Sequence, residues 1–218
     1  TIPFLPDFPH LVRNFNVSRI NIIEACQKSA DLVICGMPGF GKSIALAHLV
    51  TCMIKKRSET GILAEKIPVF FDVHETPIFS QPNLPLVEIL VKVLSTKLSS
   101  SFQPKIAAYL KEKFSENRAI LIIDSLDELP PTQFDLFVDY IKKIKQEYPD
   151  LQIIVTSSTL YFGDLLRLNF SPLFLSAWSN SQIIDYYANW NRLWKKDISN
   201  YISQDLNEFE NLLIHNWA

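Results

Sequence analysis

Leu32-Val33-Ile34-Cys35-Gly36-Met37-Pro38-Gly39-Phe40-Gly41-Lys42-Ser43-Ile44 decides how the rest of this chain is read. The first four residues are an apolar, β-branched run that suits a strand buried on both faces. Residues 36–43 then match G-x-x-x-x-G-K-[ST] at every fixed position. From residue 43 to 57, apolar positions recur at three- and four-residue spacing and predict a helix. A strand, a glycine-rich turn and a helix in that order converge main-chain N–H groups and the positive end of a helix dipole on one point. A polyphosphate needs that convergence. Gly36, Gly39 and Gly41 are three of only five glycines in the chain, and glycine allows close approach and conformations that a Cβ forbids. Lys42 is expected to reach β- and γ-phosphate oxygens, and the Ser43 hydroxyl is expected to be a Mg²⁺ ligand. Met37, Pro38, Phe40 and Ile44 complete the expected nucleotide-binding segment.

A second stretch, Arg118-Ala119-Ile120-Leu121-Ile122-Ile123-Asp124-Ser125-Leu126-Asp127-Glu128-Leu129, is an apolar strand ending in acids. Alone the pattern is common. Downstream of a P-loop it points to a metal-holding carboxylate at Asp124, with Mg²⁺ as the metal. Asp127 or Glu128, just past the strand end, is placed to orient or deprotonate a water, and the sequence leaves the choice open. Thr156 is either a polar sensor of the nucleotide or an ordinary β-branched strand residue.

Five apolar runs predict strands at residues 32–35, 67–73, 119–123, 152–156 and 173–175. Their near-continuous apolarity suits a parallel sheet covered on both faces. Helical patterns fall at 18–29, 43–57, 85–99, 103–116, 132–147 and 161–168. Alternating strands and helices imply an α/β fold with right-handed crossovers. Residues 1–16, rich in proline and aromatics, read as an extended arm. After about residue 177 the pattern becomes helical, with a start near Ser179-Asn180-Ser181. A domain of residues 1–177 and the beginning of a helical subdomain at 178–218 are expected. All four tryptophans (Trp178, Trp190, Trp194, Trp217) fall in that last stretch, where packing in a helical core is the first expectation.

A net charge of −2 gives no reason to expect a nucleic-acid or membrane partner. Lys55-Lys56-Arg57 is read as a solvated helix end. Cys26, Cys35 and Cys52 show no metal-ligand spacing and no disulfide framework, which fits a reducing cytoplasm. His10, His48 and His74 include no pair at metal spacing. No signal peptide or membrane-length apolar run is visible. The chain begins at Thr1, so a piece of a longer protein is expected. Guanine-selective Asn-Lys-x-Asp is absent, which favours ATP, with Phe8, His10 and Leu11 as candidate base-lining residues.

The two motifs together resemble the NACHT family of STAND-class signalling NTPases, within the ATPases related to AAA+ proteins. Cys35–Ser43 and Leu121-Ile122-Ile123-Asp124-Ser125-Leu126-Asp127-Glu128-Leu129 carry the resemblance, with Ser125 in place of the family's glycine in D-G-L-D-E-L. Ile153-Ile154-Val155-Thr156-Ser157-Ser158 is similar to its sensor strand. There the family usually ends Thr-Ser-Arg, and Ser158 replaces the arginine that approaches the γ-phosphate. Arg167 is a candidate substitute. The resemblance implies a three-layer α/β/α sandwich with a five-stranded parallel sheet of order 2-3-1-4-5. It also implies ADP at rest, ATP on activation, self-association, and fused effector and sensor domains outside this stretch. Slow hydrolysis of ATP would reset such a switch. An AAA+-like remodelling ATPase with continuous turnover on DNA or protein is the competing expectation.

Overall fold

The computed structural model describes residues 19–73, 84–95, 103–159, 162–176, 178, 180–194 and 196. The expected N-terminal arm with Phe8, His10 and Leu11, together with His74 and Trp217, lies outside the described residues. The chain divides into two compact units, Thr1–Ser176 and Ala177–Ala218.

The first unit carries β1 (Leu32–Cys35), β2 (Ile67–Asp72), β3 (Ala119–Asp124), β4 (Gln152–Ser157) and β5 (Ser171–Phe174), all parallel. Its helices are α1 (Ile22–Cys26), α2 (Lys42–Ile54), α3 (Leu86–Ser95), α4 (Gln103–Ser115), α5 (Pro131–Glu147) and α6 (Gly163–Leu166). A 3-10 stretch, Ser58–Glu65, follows α2; the sequence pattern did not predict it.

The five-stranded parallel sheet is as expected, but its order is β2-β3-β4-β1-β5 rather than 2-3-1-4-5. Strand β4, not β1, lies beside β3. Polar ties hold β4 against the entry to β1. The Ile153 N–H donates to the Asp31 carboxylate at 2.8 Å, and Gln152 Nε2 donates to the carbonyls of Cys26 at 2.8 Å and Ala30 at 3.0 Å. Lateral neighbours depend on such long-range contacts, which strand patterns do not encode. The ends of β4, Thr156 and Ser157, therefore stand between the glycine-rich loop and Asp124.

Side chains alternate across the sheet. Val33, Cys35, Leu121, Ile123, Ile153 and Val155 join α3, α4 and α5 in one core, while Leu32, Ile34, Ile120, Ile122 and Ile154 join α1 and α2 in the other. The result is a three-layer α/β/α arrangement. Burial on both faces holds for β1, β3 and β4 but not for β2 and β5. Those two are the edge strands, and Phe70 on β2 is 46% exposed. The strand prolines, Pro68 and Pro172, both lie in these edge strands, where a missing N–H disturbs the ladder least.

Helix α2 positions the site. Leu46, Leu49 and Cys52 are fully buried along it, and burying each leucine contributes about 1.5–3 kcal/mol. That outweighs the roughly 1 kcal/mol of a side-chain N-cap, so α2 stays docked although no side chain caps its start.

In the second unit, α7 (Asn180–Leu193) has no buried residue among those described. Of the described tryptophans, Trp178 is 51% and Trp190 47% exposed, so these two are not packed in a core. Their rings pair instead with neighbours along the same segment, Trp178 with Tyr186 at 5.1 Å and Trp190 with Trp194 at 6.1 Å between centroids. No helix among the described residues is long and apolar enough to cross a membrane.

Candidate functional site

The loop between β1 and α2 has the backbone its glycines suggested. Gly39 has φ +81° and Gly41 φ +85°, and nothing lies within 4 Å of a Cβ built at either. Left-handed backbone, not lack of space, requires glycine there, since other residues lose about 1–2 kcal/mol in that conformation. Ala45 N–H makes the first bond of α2, to the Gly41 carbonyl at 2.9 Å. The amides of Lys42, Ser43 and Ile44 are left without intrahelical acceptors at an uncapped helix start. Met37, Pro38, Phe40, Ser43 and Ile44 are exposed around them, and Gly36 is buried at the loop's entrance. Gly36 N–H donates to the Ser157 carbonyl at 3.2 Å, tying the loop to β4.

Lys42 joins the two motifs. Its ammonium donates to the Gly36 carbonyl at 3.0 Å and pairs with Asp127 Oδ2 at 3.2 Å. Both side chains are only 11% exposed. Asp127 follows β3 in a short 3-10 turn, Leu126–Glu128, where Glu128 is exposed.

Asp124 is buried at the tip of β3. Its Oδ1 accepts the Ser125 N–H at 2.9 Å and the Thr156 hydroxyl, and Thr156 Oγ1 itself accepts the Ser125 N–H at 3.0 Å. Thr156, fully buried at the end of β4, thus acts on the acid and orients it. Oδ2 of Asp124 has no protein partner among the described residues. The Ser157 hydroxyl, also buried, finds none either.

Asp72 and the role of the Ser125 hydroxyl escaped the sequence. Asp72 ends β2 in register with Asp124, and Ser125 Oγ donates to Asp72 Oδ2 at 2.8 Å. Ser125 has φ +67°, so this serine occupies a left-handed position that suits the glycine of the D-G-L-D-E-L pattern. The signal for Asp72 was present as Phe70-Phe71-Asp72, an apolar strand ending in an acid like that at Asp124. Arg167 is 83% exposed and donates to Asp164 Oδ1 at 3.0 Å. Ser158 directly follows β4. Burial pushes the Cys35 thiol up to about 12, the Lys42 charge pulling the other way and Asp127 adding to the rise. Cys35 is therefore an inert core thiol beside the loop.

The donor set fits a magnesium–polyphosphate group. The amides at the start of α2 and the Lys42 ammonium suit phosphate oxygens, and the Ser43 hydroxyl and the pre-oriented Asp124 carboxylate suit the cation. The parallel sheet, the glycine-rich loop joining β1 to α2 and the carboxylate at the tip of β3 define a P-loop α/β fold.

No family model matches the chain, and no curated protein matches it. Among solved structures, Drosophila ORC bound to DNA is similar at TM-score 0.45 and 16% identity, over 84% of this chain and 45% of that one. The Aeropyrum pernix ORC1 protein in complex with DNA is similar at TM-score 0.44 and 18% identity, over 84% of this chain and 48% of that one. The chain spans about half the length of these solved chains.

Proposed function

We propose that this chain binds ATP with Mg²⁺ and works as a NACHT-like switch, ADP-bound at rest and self-associating when ATP-bound, with slow hydrolysis. One observation carries the reading: Lys42 of the glycine-rich loop meets Asp127 of the acidic segment at 3.2 Å, so two motifs distant in sequence form one site.

In this proposal the amides of Lys42, Ser43 and Ile44 at the start of α2 and the Lys42 ammonium hold the phosphates. Ser43 and Asp124 hold Mg²⁺, which would supply neutralisation of phosphate charge. Thr156 and the Ser125 amide fix Asp124 Oδ1, which leaves Oδ2 for the cation or its water. Glu128 is the better water-activating acid in this proposal, because Asp127 is already engaged by the Lys42 ammonium at 3.2 Å. Ser158 supplies no positive charge for the transition state, which supports slow turnover. Effector and sensor domains and the self-associating surface belong to the full-length protein in this proposal.

Calorimetry with Mg-ATP and Mg-ADP on the wild type and Lys42→Ala tests the binding, and light scattering of the full-length protein tests the assembly. Binding weakened by roughly 10- to 100-fold in the variant, with its ATP-dependent assembly lost, is the expected result. Folded wild-type protein that gives neither heat nor a thermal shift would end the proposal. Steady turnover stimulated by DNA or by a protein polymer would replace the switch with a remodelling ATPase.

A further inference from the structure

His48 and Cys52 lie one turn apart on α2, and Glu59 comes from the 3-10 stretch that follows. Cys52 Sγ is 3.6 Å from His48 Nε2 and 3.5 Å from Glu59 Oε1. One ligand atom from each of the three residues lies within 4.8 Å of the others. In tetrahedral zinc sites, with bonds of about 2.0–2.3 Å, neighbouring ligand atoms stand roughly 3.5 Å apart. Two of the three separations already have that length. An imidazole N–H given to sulfur and a thiol proton given to Glu59 satisfy these contacts in the absence of metal, and one cation can replace both protons and hold nitrogen, sulfur and oxygen together.

We propose that His48, Cys52 and Glu59 bind one Zn²⁺-like divalent cation, with the fourth position taken by water. Imidazole, thiolate and carboxylate form a borderline-soft donor set that selects zinc over magnesium or calcium. Cys52 is buried, while His48 and Glu59 are exposed, so the ion enters from the solvent side. Binding releases the thiol proton to solvent. Cys52 lies ten residues beyond Lys42, about 15 Å along the helix, so the site is separate from the phosphate cradle. It would clasp the far end of α2 to the 3-10 stretch. Arg57, 3.9 Å from Glu59, is a competitor for that carboxylate.

The test is a Co²⁺ titration of the whole metal-free, nucleotide-free chain. Saturation at one equivalent with a near-ultraviolet thiolate-to-cobalt band, displaced by Zn²⁺, is expected. Cys52→Ser should remove the band. His48→Ala and Glu59→Gln change exposed residues and should keep the far-ultraviolet circular dichroism. Each should weaken Co²⁺ binding by roughly tenfold or more, at least what loss of an outer hydrogen-bond partner costs a metal site. Absence of the band in the wild type overturns the proposal. So does a band that persists unchanged in the folded His48→Ala/Glu59→Gln double variant, which decides the matter even if Cys52→Ser does not fold.

Discussion

At Ser125 a backbone penalty and a hydrogen bond oppose each other. A left-handed φ of +67° costs a non-glycine residue about 1–2 kcal/mol. The bond from its hydroxyl to the Asp72 carboxylate contributes about 1.5–3 kcal/mol when the acceptor is charged. Ser125→Ala keeps the penalty and loses the bond, so a destabilisation of about 1.5–3 kcal/mol is expected in urea unfolding. Ser125→Gly loses both and should stay within about 1 kcal/mol of the wild type. No loss in Ser125→Ala would show that the Asp72 contact contributes nothing, and equal losses in the two variants would show that the left-handed backbone carries no penalty. Lys42 separates stability from binding in a similar way. Lys42→Ala strands Asp127, which is only 11% exposed, and should cost about 1–3 kcal/mol of stability. It should also weaken Mg-ATP binding by roughly 10- to 100-fold. Adding Asp127→Asn should restore most of the stability and none of the binding. If calorimetry finds binding restored as well, Lys42 does not contact phosphate.

Among the elements, β4 depends on Asp31. The Asp31 carboxylate accepts the Ile153 N–H at 2.8 Å and pairs with Lys145 of α5 at 2.9 Å, while its carbonyl accepts the Ser171 N–H of β5 at 2.8 Å. One residue thus ties β1 to β4, β5 and α5. Asp31→Ala leaves the Ile153 amide without its acceptor and should cost about 2–3 kcal/mol, with faster hydrogen exchange at Ile153. Asp31→Asn keeps that acceptor and loses only the pair with a partly exposed lysine, about 1 kcal/mol or less. These ties also explain what the sequence could reveal. Strand β1, the loop and the start of α2 were legible because glycine spacing and apolar runs are local. The acid at Asp124 was legible for the same reason. The position of β4 between β1 and β3 was not, because it rests on Asp31 and Gln152 reaching residues far away in sequence. The Ser125–Asp72 bond escaped for the same reason. The proposed His48–Cys52 pair had a local signal, a four-residue spacing on one helix, but that spacing is common on helices and does not by itself mark two ligands. Its third member, Glu59, depended on the unpredicted 3-10 stretch.

For the whole molecule, buried thiols set the alkaline limit. Burial pushes Cys26 and Cys35 up to about 12 from an ordinary 9.0. The folded chain keeps these protons where the unfolded chain releases them. Their stabilisation is therefore complete below about pH 9 and is lost as pH rises towards about 12, at up to roughly 1.4 kcal/mol per pH unit for each thiol. Urea midpoints should be insensitive to these groups from pH 7 to 8.5 and fall above pH 9. At pH 8, iodoacetamide should modify neither residue until the chain unfolds.

The distribution of tryptophan offers a test of the switch itself. All four tryptophans lie at or beyond position 178, within the second unit, Ala177–Ala218. The P-loop lies in the first unit, whose helices and strands dominate the far-ultraviolet circular dichroism. Mg-ATP at a hundredfold excess over its Kd stabilises the state that binds it by about 2.7 kcal/mol. For a chain of this size that is a rise in Tm of roughly 5–10 °C in the circular dichroism transition. A nucleotide held only by the first unit would stop there. A switch requires the second unit to respond to which nucleotide is bound, because a ligand shifts an equilibrium only through its different affinities for the two states. The expected outcome is therefore double: the dichroism transition rises with ATP and with ADP, and tryptophan emission below the transition differs between the two. Identical emission in the ATP, ADP and nucleotide-free forms, alongside a normal rise in Tm, would leave the nucleotide as a structural pin and remove the switch.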